Sequence, residues 1–302
     1  MIKKDKKTVS VGICAYNEER NIQNILKDIL SQKTPNFMLK EIIVHCDNCT
    51  DKTIEKIKQL KNKKIEIIES KTRQGKSGGL AKIIKKCSGE ILVVFDADEK
   101  LGDKMVLTNM IDKFVKDKNV TLVGANTRPF KPTTFFERVV YSTFLVFEES
   151  RKLRGGENPF SFTGGGMGIK SSYIKSINFS EKALNEDDFI YFSSVRDNKG
   201  FAYAKNAKIY YKLPKSLPDY LKQSFRSNPQ AININYTKLF GDIVASEYKR
   251  PLPFYLKSIL KSFLKYPIET TYAITINMAM LPFYKNISSK YKLEWYTAES
   301  TK

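Results

Sequence analysis

The sequence predicts an α/β protein whose mostly parallel, twisted sheet is covered by helices on both faces. Short apolar runs rich in β-branched residues alternate with segments whose apolar residues recur at helical spacing. One of these runs, residues 91–95, is apolar throughout, as in a strand that is buried on both faces. Strands and helices that alternate in this way form crossover units with parallel strands.

The individual elements follow from the positions of these runs. Strands are predicted at residues 9–14, 41–46, 65–68, 91–95 and 121–125. Apolar stripes at helical spacing predict helices between them, beginning near Ile22, Ile54, Leu80 and Val106. Thr50 and Asp51 are candidate caps of the second helix.

Beyond about residue 130 the sequence changes character. Residues 135–147 predict a very apolar helix, residues 163–168 are rich in glycine, and residues 185–188 form an acidic cluster. Two further strands are predicted around residues 201–204 and 208–211. No low-complexity linker interrupts this part, so residues 1–235 are predicted to form one domain and residues 236–302 a helical C-terminal extension.

The charge balance restricts the partners rather than the fold. The 302 residues include 52 basic and 32 acidic side chains, a net charge of +20. Nucleic acid, an anionic membrane surface and a phosphate-rich substrate all suit such an excess. The sequence contains no basic stripe with interleaved aromatics and no known docking motif, so a nucleic-acid-binding protein is the distant alternative.

Cysteine usage and the N-terminus indicate the compartment. The four cysteines lie in the first third of the chain, and reduced thiols in the cytosol are the simplest interpretation. Residues 1–7 are charged and contain no apolar core of a signal peptide, so export is not expected.

Polar side chains follow three of the predicted strands. Asn17 and Glu18 follow the first, Asp47 the second, and Asp96 with Asp98 the fourth. Because ligands of parallel sheets bind beyond the carboxyl ends of the strands, these residues are expected to converge. Two carboxylates one residue apart can hold Mg²⁺ or Mn²⁺, which would neutralise a diphosphate. A solvated turn is the alternative interpretation of this pair.

Six motifs occur in a fixed order along the chain. They are VSVGICAYNEE at residues 9–19, IIVHCDNCTDKT at 42–53, GKSGGL at 75–80, FDAD at 95–98, NEDD at 185–188 and the pair Gln223 and Arg226. Together they resemble the family 2 glycosyltransferases, which have the GT-A fold. The resemblance covers roughly residues 9–228 and implies that this part is the catalytic domain.

The resemblance also implies a role for each matching residue. Tyr16 and Glu18 would line the nucleoside pocket, Asp47 would accept hydrogen bonds from the base, and Lys76 would approach the nucleotide or its phosphates. Asp98 would be the direct metal ligand, and Asp96 would face the ribose and the metal. The implied nucleotide-sugar-binding set comprises Ala15, Tyr16, Asn17, Glu18, Asp47, Lys76, Asp96, Ala97, Gly165, Gln223 and Arg226.

The acidic cluster resembles the motif that supplies the catalytic base. Asp187 would deprotonate the acceptor hydroxyl in a single displacement with inversion, while a one-residue shift of register would give that role to Asp188 or Glu186. Arg226 would bind the diphosphate. Ser227 stands where processive members carry tryptophan, which favours one sugar per turnover over polymer synthesis.

The implied activity is the transfer of one sugar from a UDP- or GDP-sugar to a hydroxyl of a glycan or a lipid-linked acceptor. The alternative on the same scaffold is a polyprenyl-phosphate glycosyltransferase, similar to dolichol-phosphate-mannose synthase, whose acceptor is a lipid phosphate.

The C-terminal extension contains a candidate membrane-binding helix. In residues 254–266, Lys257, Lys261 and Lys265 recur every four residues, and apolar side chains fill the opposite face. Such a helix can lie in an anionic lipid interface or pack on the protein core with solvated lysines. Residues 268–284 are too short and too polar for a span. We therefore expect a cytoplasmic protein that is peripheral on the inner face of the cell membrane.

Overall fold

The computed structural model describes residues 6–179, 183, 185–226 and 236–287. Within them the chain folds into two compact units. The first contains the described residues of Met1–Arg128 and Phe162–Tyr211, and the second those of Pro129–Ser161 and Lys212–Lys302. Residues 129–161, which the sequence analysis assigns to the first domain, thus belong to the second unit. The predicted domain boundary at residue 235 stays a prediction.

Eight strands in the described residues form one sheet in the order β3-β2-β1-β4-β7-β6-β8-β5. Their bounds are β1 Lys7–Ala15, β2 Phe37–Asp47, β3 Ile65–Ser70, β4 Ile91–Asp96, β5 Lys100–Leu101, β6 Val120–Pro129, β7 Met167–Lys170 and β8 Gly200–Tyr211. The pairs β2–β3, β1–β2 and β1–β4 are parallel. The pairs β4–β7, β6–β7 and β5–β8 are antiparallel.

The predicted α/β fold is confirmed, and every predicted strand lies within an observed one. The sheet is mixed, because the short strand β7 inserts antiparallel between β4 and β6. The two strands predicted near residues 201–211 are one continuous strand, β8. Lys205 and Asn206, which interrupt the apolar pattern, are exposed on it, so they do not end the strand.

Helices cover both faces of the sheet in the first unit. These helices are α1 Ile22–Leu30, α2 Thr53–Lys58, α3 Gly75–Lys86, α4 Val106–Lys116, α6 Ser171–Ser176 and α7 Glu186–Arg196. Buried residues of α1 and α4 share one apolar core with Ile13 and Phe95 of the sheet. On the other face, α3 approaches so closely that a Cβ at Gly12 would lie 2.7 Å from a methyl group of Ile83. Glycine at position 12 therefore lets α3 pack directly on β1.

The second unit is helical in its described residues. Its helices are α5 Phe135–Arg151, α8 Leu217–Arg226, α9 Asp242–Tyr248, α10 Leu252–Lys265 and α11 Pro267–Ile287. Thr134 and Glu137 form a capping box that begins α5, and α10 and α11 both pack against α5. Among the described residues, no helix has both the length and the apolar character needed to cross a membrane.

Candidate active site

Asp47 anchors the start of α3 from the end of β2. One carboxylate oxygen accepts a hydrogen bond from the Gln74 amide at 2.8 Å, and the other accepts from the Gly75 amide at 3.0 Å. The Arg73 guanidinium donates to the second oxygen at 3.2 Å. Asp47 thus fixes the loop that precedes the Gly-Lys segment, and its role toward a nucleobase stays a prediction.

Arg73, which belongs to none of the six motifs, also stacks on Tyr16. The central carbon of the guanidinium lies 3.3 Å from the centre of the Tyr16 ring, the geometry of a cation–π contact. The residue precedes the Gly-Lys segment by two positions, which is the only sequence signal that could have indicated it. Tyr16, Arg73 and Asp47 therefore form one connected group, in which Arg73 from the loop between β3 and α3 contacts residues at the ends of β1 and β2.

The loop after β1 is tied to the loop after β2 by hydrogen bonds. The Asn17 carboxamide oxygen accepts from the Thr50 amide at 2.8 Å, and the Glu18 amide donates to the Thr53 hydroxyl at 2.7 Å. Asn17 adopts the left-handed backbone conformation with a φ of 52°. Ala15 is buried at the end of β1. Among the predicted binding residues, Ala15 and Asn17 thus build the loop on which Tyr16 stands.

Asp96 is the last residue of β4, and Asp98 lies in the turn that follows it. Both side chains are partly exposed, while Ala97 and Glu99 between and after them are buried. Ala97 belongs to the apolar core, so only its backbone can meet a ligand. Glu99 accepts a hydrogen bond from the Asp96 amide at 2.9 Å, and burial together with the charge of Asp96 raises the pKa of Glu99 well above its usual range.

Lys76 joins the end of β4 to the acidic start of α7. Its ammonium group lies 2.6 Å from a carboxylate oxygen of Asp96 and 2.7 Å from one of Glu186, and it donates to the Gly164 carbonyl at 3.2 Å. Burial disfavours its charge, but Asp96 and Glu186 outweigh this and raise the pKa of Lys76 above its ordinary value. The structure places Lys76 among protein oxygens, and its contact with phosphates stays a prediction.

The three acidic residues at the start of α7 differ in exposure. Glu186 and Asp188 are each 7% exposed, whereas Asp187 is partly exposed. Asp187 accepts hydrogen bonds from the Gly164 amide at 2.8 Å and from the Asp188 amide at 3.0 Å. Burial and the like charges of Asp188 and Glu186 raise the pKa of Asp187 well above the usual carboxyl range. Asp187 is therefore both the more accessible carboxylate and a stronger base than an ordinary aspartate.

The glycine-rich stretch permits close contacts that a side chain would block. A Cβ at Gly164 would lie 2.6 Å from the Lys76 ammonium, and one at Gly165 would lie 1.7 Å from a Glu99 oxygen. A side chain at Gly164 would displace the Lys76 ammonium, and one at Gly165 would displace the Glu99 carboxylate. The backbone of Gly164 thus connects Lys76 with Asp187, and the contact of Gly165 with a nucleotide sugar stays a prediction.

The predicted metal ligands suit a hard cation that is shared with a substrate. Within the described residues, no group of three or more histidine, cysteine, aspartate or glutamate side chains is arranged to hold a metal ion. Asp98 and Asp96 nevertheless carry partly exposed carboxylates two residues apart, and one oxygen of Asp96 is paired with Lys76. Mg²⁺ and ions like it are commonly held by one or two carboxylates together with substrate phosphates. The residues present therefore fit a cation that arrives with a diphosphate.

Two predicted residues lie in the second unit. Gln223 is part of α8, and Arg226 is its last residue. The side chain of Arg226 lies outside the description that the structure gives, and Ser227 lies outside the described residues.

The fold and the site define an α/β protein with a polar site beyond the carboxyl ends of parallel strands. Residues 10–177 match the profile described as Glycosyl transferase family 2. The chain therefore belongs to glycosyltransferase family 2.

Relatives and solved structures agree with this assignment. The poly-beta-1,6-N-acetyl-D-glucosamine synthase of Staphylococcus epidermidis is 26% identical over 60% of this chain and 43% of its own length. The beta-monoglucosyldiacylglycerol synthase of Nostoc sp. strain PCC 7120 is 32% identical over 59% of this chain and 39% of its own. The matches span less than half the length of these curated relatives.

A solved structure shares the fold. The mannosyltransferase of Pyrobaculum calidifontis, determined in complex with GDP-Man and Mn²⁺, superposes with a TM-score of 0.62. The match covers 95% of this chain and 84% of that one at 18% sequence identity. At this identity the likeness shows the common GT-A fold.

Proposed function

We propose that this protein transfers one sugar from a nucleotide-diphosphate sugar to an acceptor hydroxyl, with inversion and with Asp187 as the base. The observation that carries the proposal is the Lys76 bridge. One buried ammonium connects Asp96, in the predicted donor site, with Glu186, next to the predicted base. The family and the bound GDP-Man and Mn²⁺ of the Pyrobaculum mannosyltransferase support a nucleotide-sugar donor and a divalent cation.

The chemistry follows from the positions of these side chains. Asp187 would accept the proton of the acceptor hydroxyl, whose oxygen then bonds to the anomeric carbon while the bond to the diphosphate breaks. Its raised pKa suits this task near neutrality, and the Gly164 amide holds one of its oxygens. Mg²⁺ or Mn²⁺, held by Asp98 and Asp96, would supply positive charge that stabilises the leaving diphosphate.

A thermal-shift screen tests the donor. We expect one UDP- or GDP-sugar to raise the melting temperature by roughly 5 °C at saturation when Mn²⁺ is present, because a ligand that binds only the folded state stabilises it. The same sugar without Mn²⁺ and Mn²⁺ alone are the controls. If no nucleotide sugar shifts the melting temperature in either condition, the proposed function is wrong.

The acceptor is decided by product analysis. The name of the Nostoc relative favours a lipid hydroxyl, and we propose transfer at the cytoplasmic face of the membrane. The enzyme would be supplied with the donor from the screen and with diacylglycerol, a glycan or a polyprenyl phosphate in turn. A glycosylated polyprenyl phosphate as the product would replace the hydroxyl acceptor with a phosphate acceptor.

The pH dependence distinguishes Asp187 from its neighbour. Because the base must be ionised, activity should fall as the pH decreases through the pKa of Asp187. The charge of Asp188 helps to raise that pKa. Asp188→Asn should therefore shift the acidic limb of kcat/KM to lower pH by roughly one unit. An unchanged limb would contradict the coupling, and complete loss of turnover would make Asp188 the base.

A further inference from the structure

Helix α10 of the second unit has its large apolar residues on the outside. Leu252, Leu256, Leu260 and Leu264 are 66%, 56%, 57% and 77% exposed. Their spacing of four residues places them in one stripe along the helix, here called the leucine face. A helix on a soluble protein normally turns such a stripe toward the core. Helix α10 instead turns its leucine face away from the core.

The buried side of α10 consists of small residues. Ser258 and Ser262 are fully buried, although they are polar. The Ser262 hydroxyl donates to the Ser142 carbonyl of α5 at 2.8 Å and lies 3.1 Å from the Thr270 hydroxyl of α11. Small residues at four-residue spacing let helix backbones approach closely, as they do where the outer surface of a helix bundle faces lipid.

The next helix, α11, continues this arrangement. Its buried positions include the small residues Thr270 and Ala273, while Ile268, Met278 and Leu281 are exposed. Two successive helices thus direct small residues inward and large apolar residues outward. An exposed apolar area of this extent indicates a surface that is covered by a partner.

The charges beside the leucine face indicate which partner covers it. Lys257, Lys261 and Lys265 are exposed, and each directly follows a leucine of the stripe. They therefore line one side of it along the helix. Lys261 forms an ion pair with Glu149 of α5 at 3.0 Å. A second copy of the chain would bring Lys257 and Lys265 to the same surface, whereas anionic lipid headgroups would neutralise these two charges.

We propose that the leucine face docks α10 in the headgroup region of an anionic bilayer, with Lys257 and Lys265 contacting lipid phosphates. The helix would lie in the plane of the interface without crossing the membrane. The inference deepens the proposed function. It rests on that function for the reason why the enzyme would bind a membrane, namely that a lipid acceptor is available there. The docking itself needs neither donor nor acceptor.

Vesicle co-sedimentation of the full chain tests the proposal without any substrate. We expect the protein to sediment with phosphatidylcholine vesicles that contain phosphatidylglycerol, and much less with pure phosphatidylcholine vesicles. L256Q/L260Q should lower the partition coefficient roughly a hundredfold, because burial of each leucine contributes roughly a factor of ten. K257Q/K265Q should lower it on anionic vesicles only, by roughly fivefold per lysine.

The matched control is Met38→Gln, which replaces an exposed apolar residue of β2 in the first unit. It should leave vesicle binding unchanged. All the altered side chains are exposed, so far-ultraviolet circular dichroism and melting temperature should match the wild type. Equal binding of wild type and L256Q/L260Q, or no binding to anionic vesicles at low salt, would overturn the proposal. A concentration-dependent dimer without lipid, abolished by L256Q/L260Q, would assign the leucine face to a second copy instead.

The two proposals can fail separately. L256Q/L260Q should keep the donor-induced thermal shift, since no altered residue belongs to the predicted donor site. If the wild-type protein binds anionic vesicles but no nucleotide sugar, docking holds and the proposed function is wrong. If it binds a nucleotide sugar but no vesicles, only the docking surface is wrong.

Discussion

Replacing Asp187 by asparagine is expected to reduce sugar transfer by about a hundredfold to ten-thousandfold, which is the usual contribution of a general base. Asparagine keeps the shape and can still accept the Gly164 hydrogen bond, but it cannot take up a proton. The affinity for the donor should therefore stay close to that of the wild type. Single-turnover rates measure the first effect, and calorimetric titration of the donor measures the second.

A suitable control is Asp242→Asn, since Asp242 also occupies the first turn of a helix but is exposed in the second unit. It should leave transfer unaffected. If Asp187→Asn transfers sugar at the wild-type rate while Asp188→Asn does not, the base lies one residue further along α7. If both variants lose donor binding, the acidic cluster holds the site together rather than acting on the acceptor.

Asp98→Ala should abolish both metal-dependent donor binding and transfer, with a loss of about a thousandfold or more in kcat/KM. A divalent cation contributes several kcal/mol to stabilising the charge that develops on the diphosphate, and Asp98 is its predicted direct ligand. Titration of the donor with and without Mn²⁺ should show a metal effect in the wild type and none in the variant.

Asp103→Ala serves as the control for this change, because Asp103 is an exposed aspartate five positions further along the chain. It should preserve the effect of Mn²⁺. Full activity of the wild-type enzyme in excess chelator would contradict the metal hypothesis, whatever the variants do.

Much of the first unit could be predicted because its elements are long and strongly periodic. The stripe that begins at Ile22 predicted α1, and the uninterrupted apolar run at residues 91–95 predicted a doubly covered strand. The sequence did not predict strand β7, because its four residues, which include Gly168, show no alternation of apolar and polar side chains that could be recognised. Its antiparallel insertion, which makes the sheet mixed, depends on pairing with β4 and β6 rather than on its own sequence.

The sequence could single out candidate site residues, but it could not predict the contacts among them. Motif order indicated Lys76, Asp96 and Glu186 separately, yet their ion pairs join positions far apart in the chain. Arg73 was missed because its stacking on Tyr16 depends on how two loops meet. For α10, the spacing of lysines and apolar residues predicted an amphipathic helix. It could not predict which side faces inward, because that depends on the close packing of Ser258 and Ser262.

The contacts of the Lys76 ammonium limit which residues can change as the sequence of this enzyme evolves. It holds the ends of three segments that are separated by tens of residues, so a mutation in any one of them disturbs the other two. Relatives that prefer a different sugar should therefore differ in the residues around these three contacts of Lys76 rather than in the contacting residues themselves. Random mutagenesis with selection for a new donor should recover changes around the candidate site and leave Asp96, Glu186 and Gly164 intact.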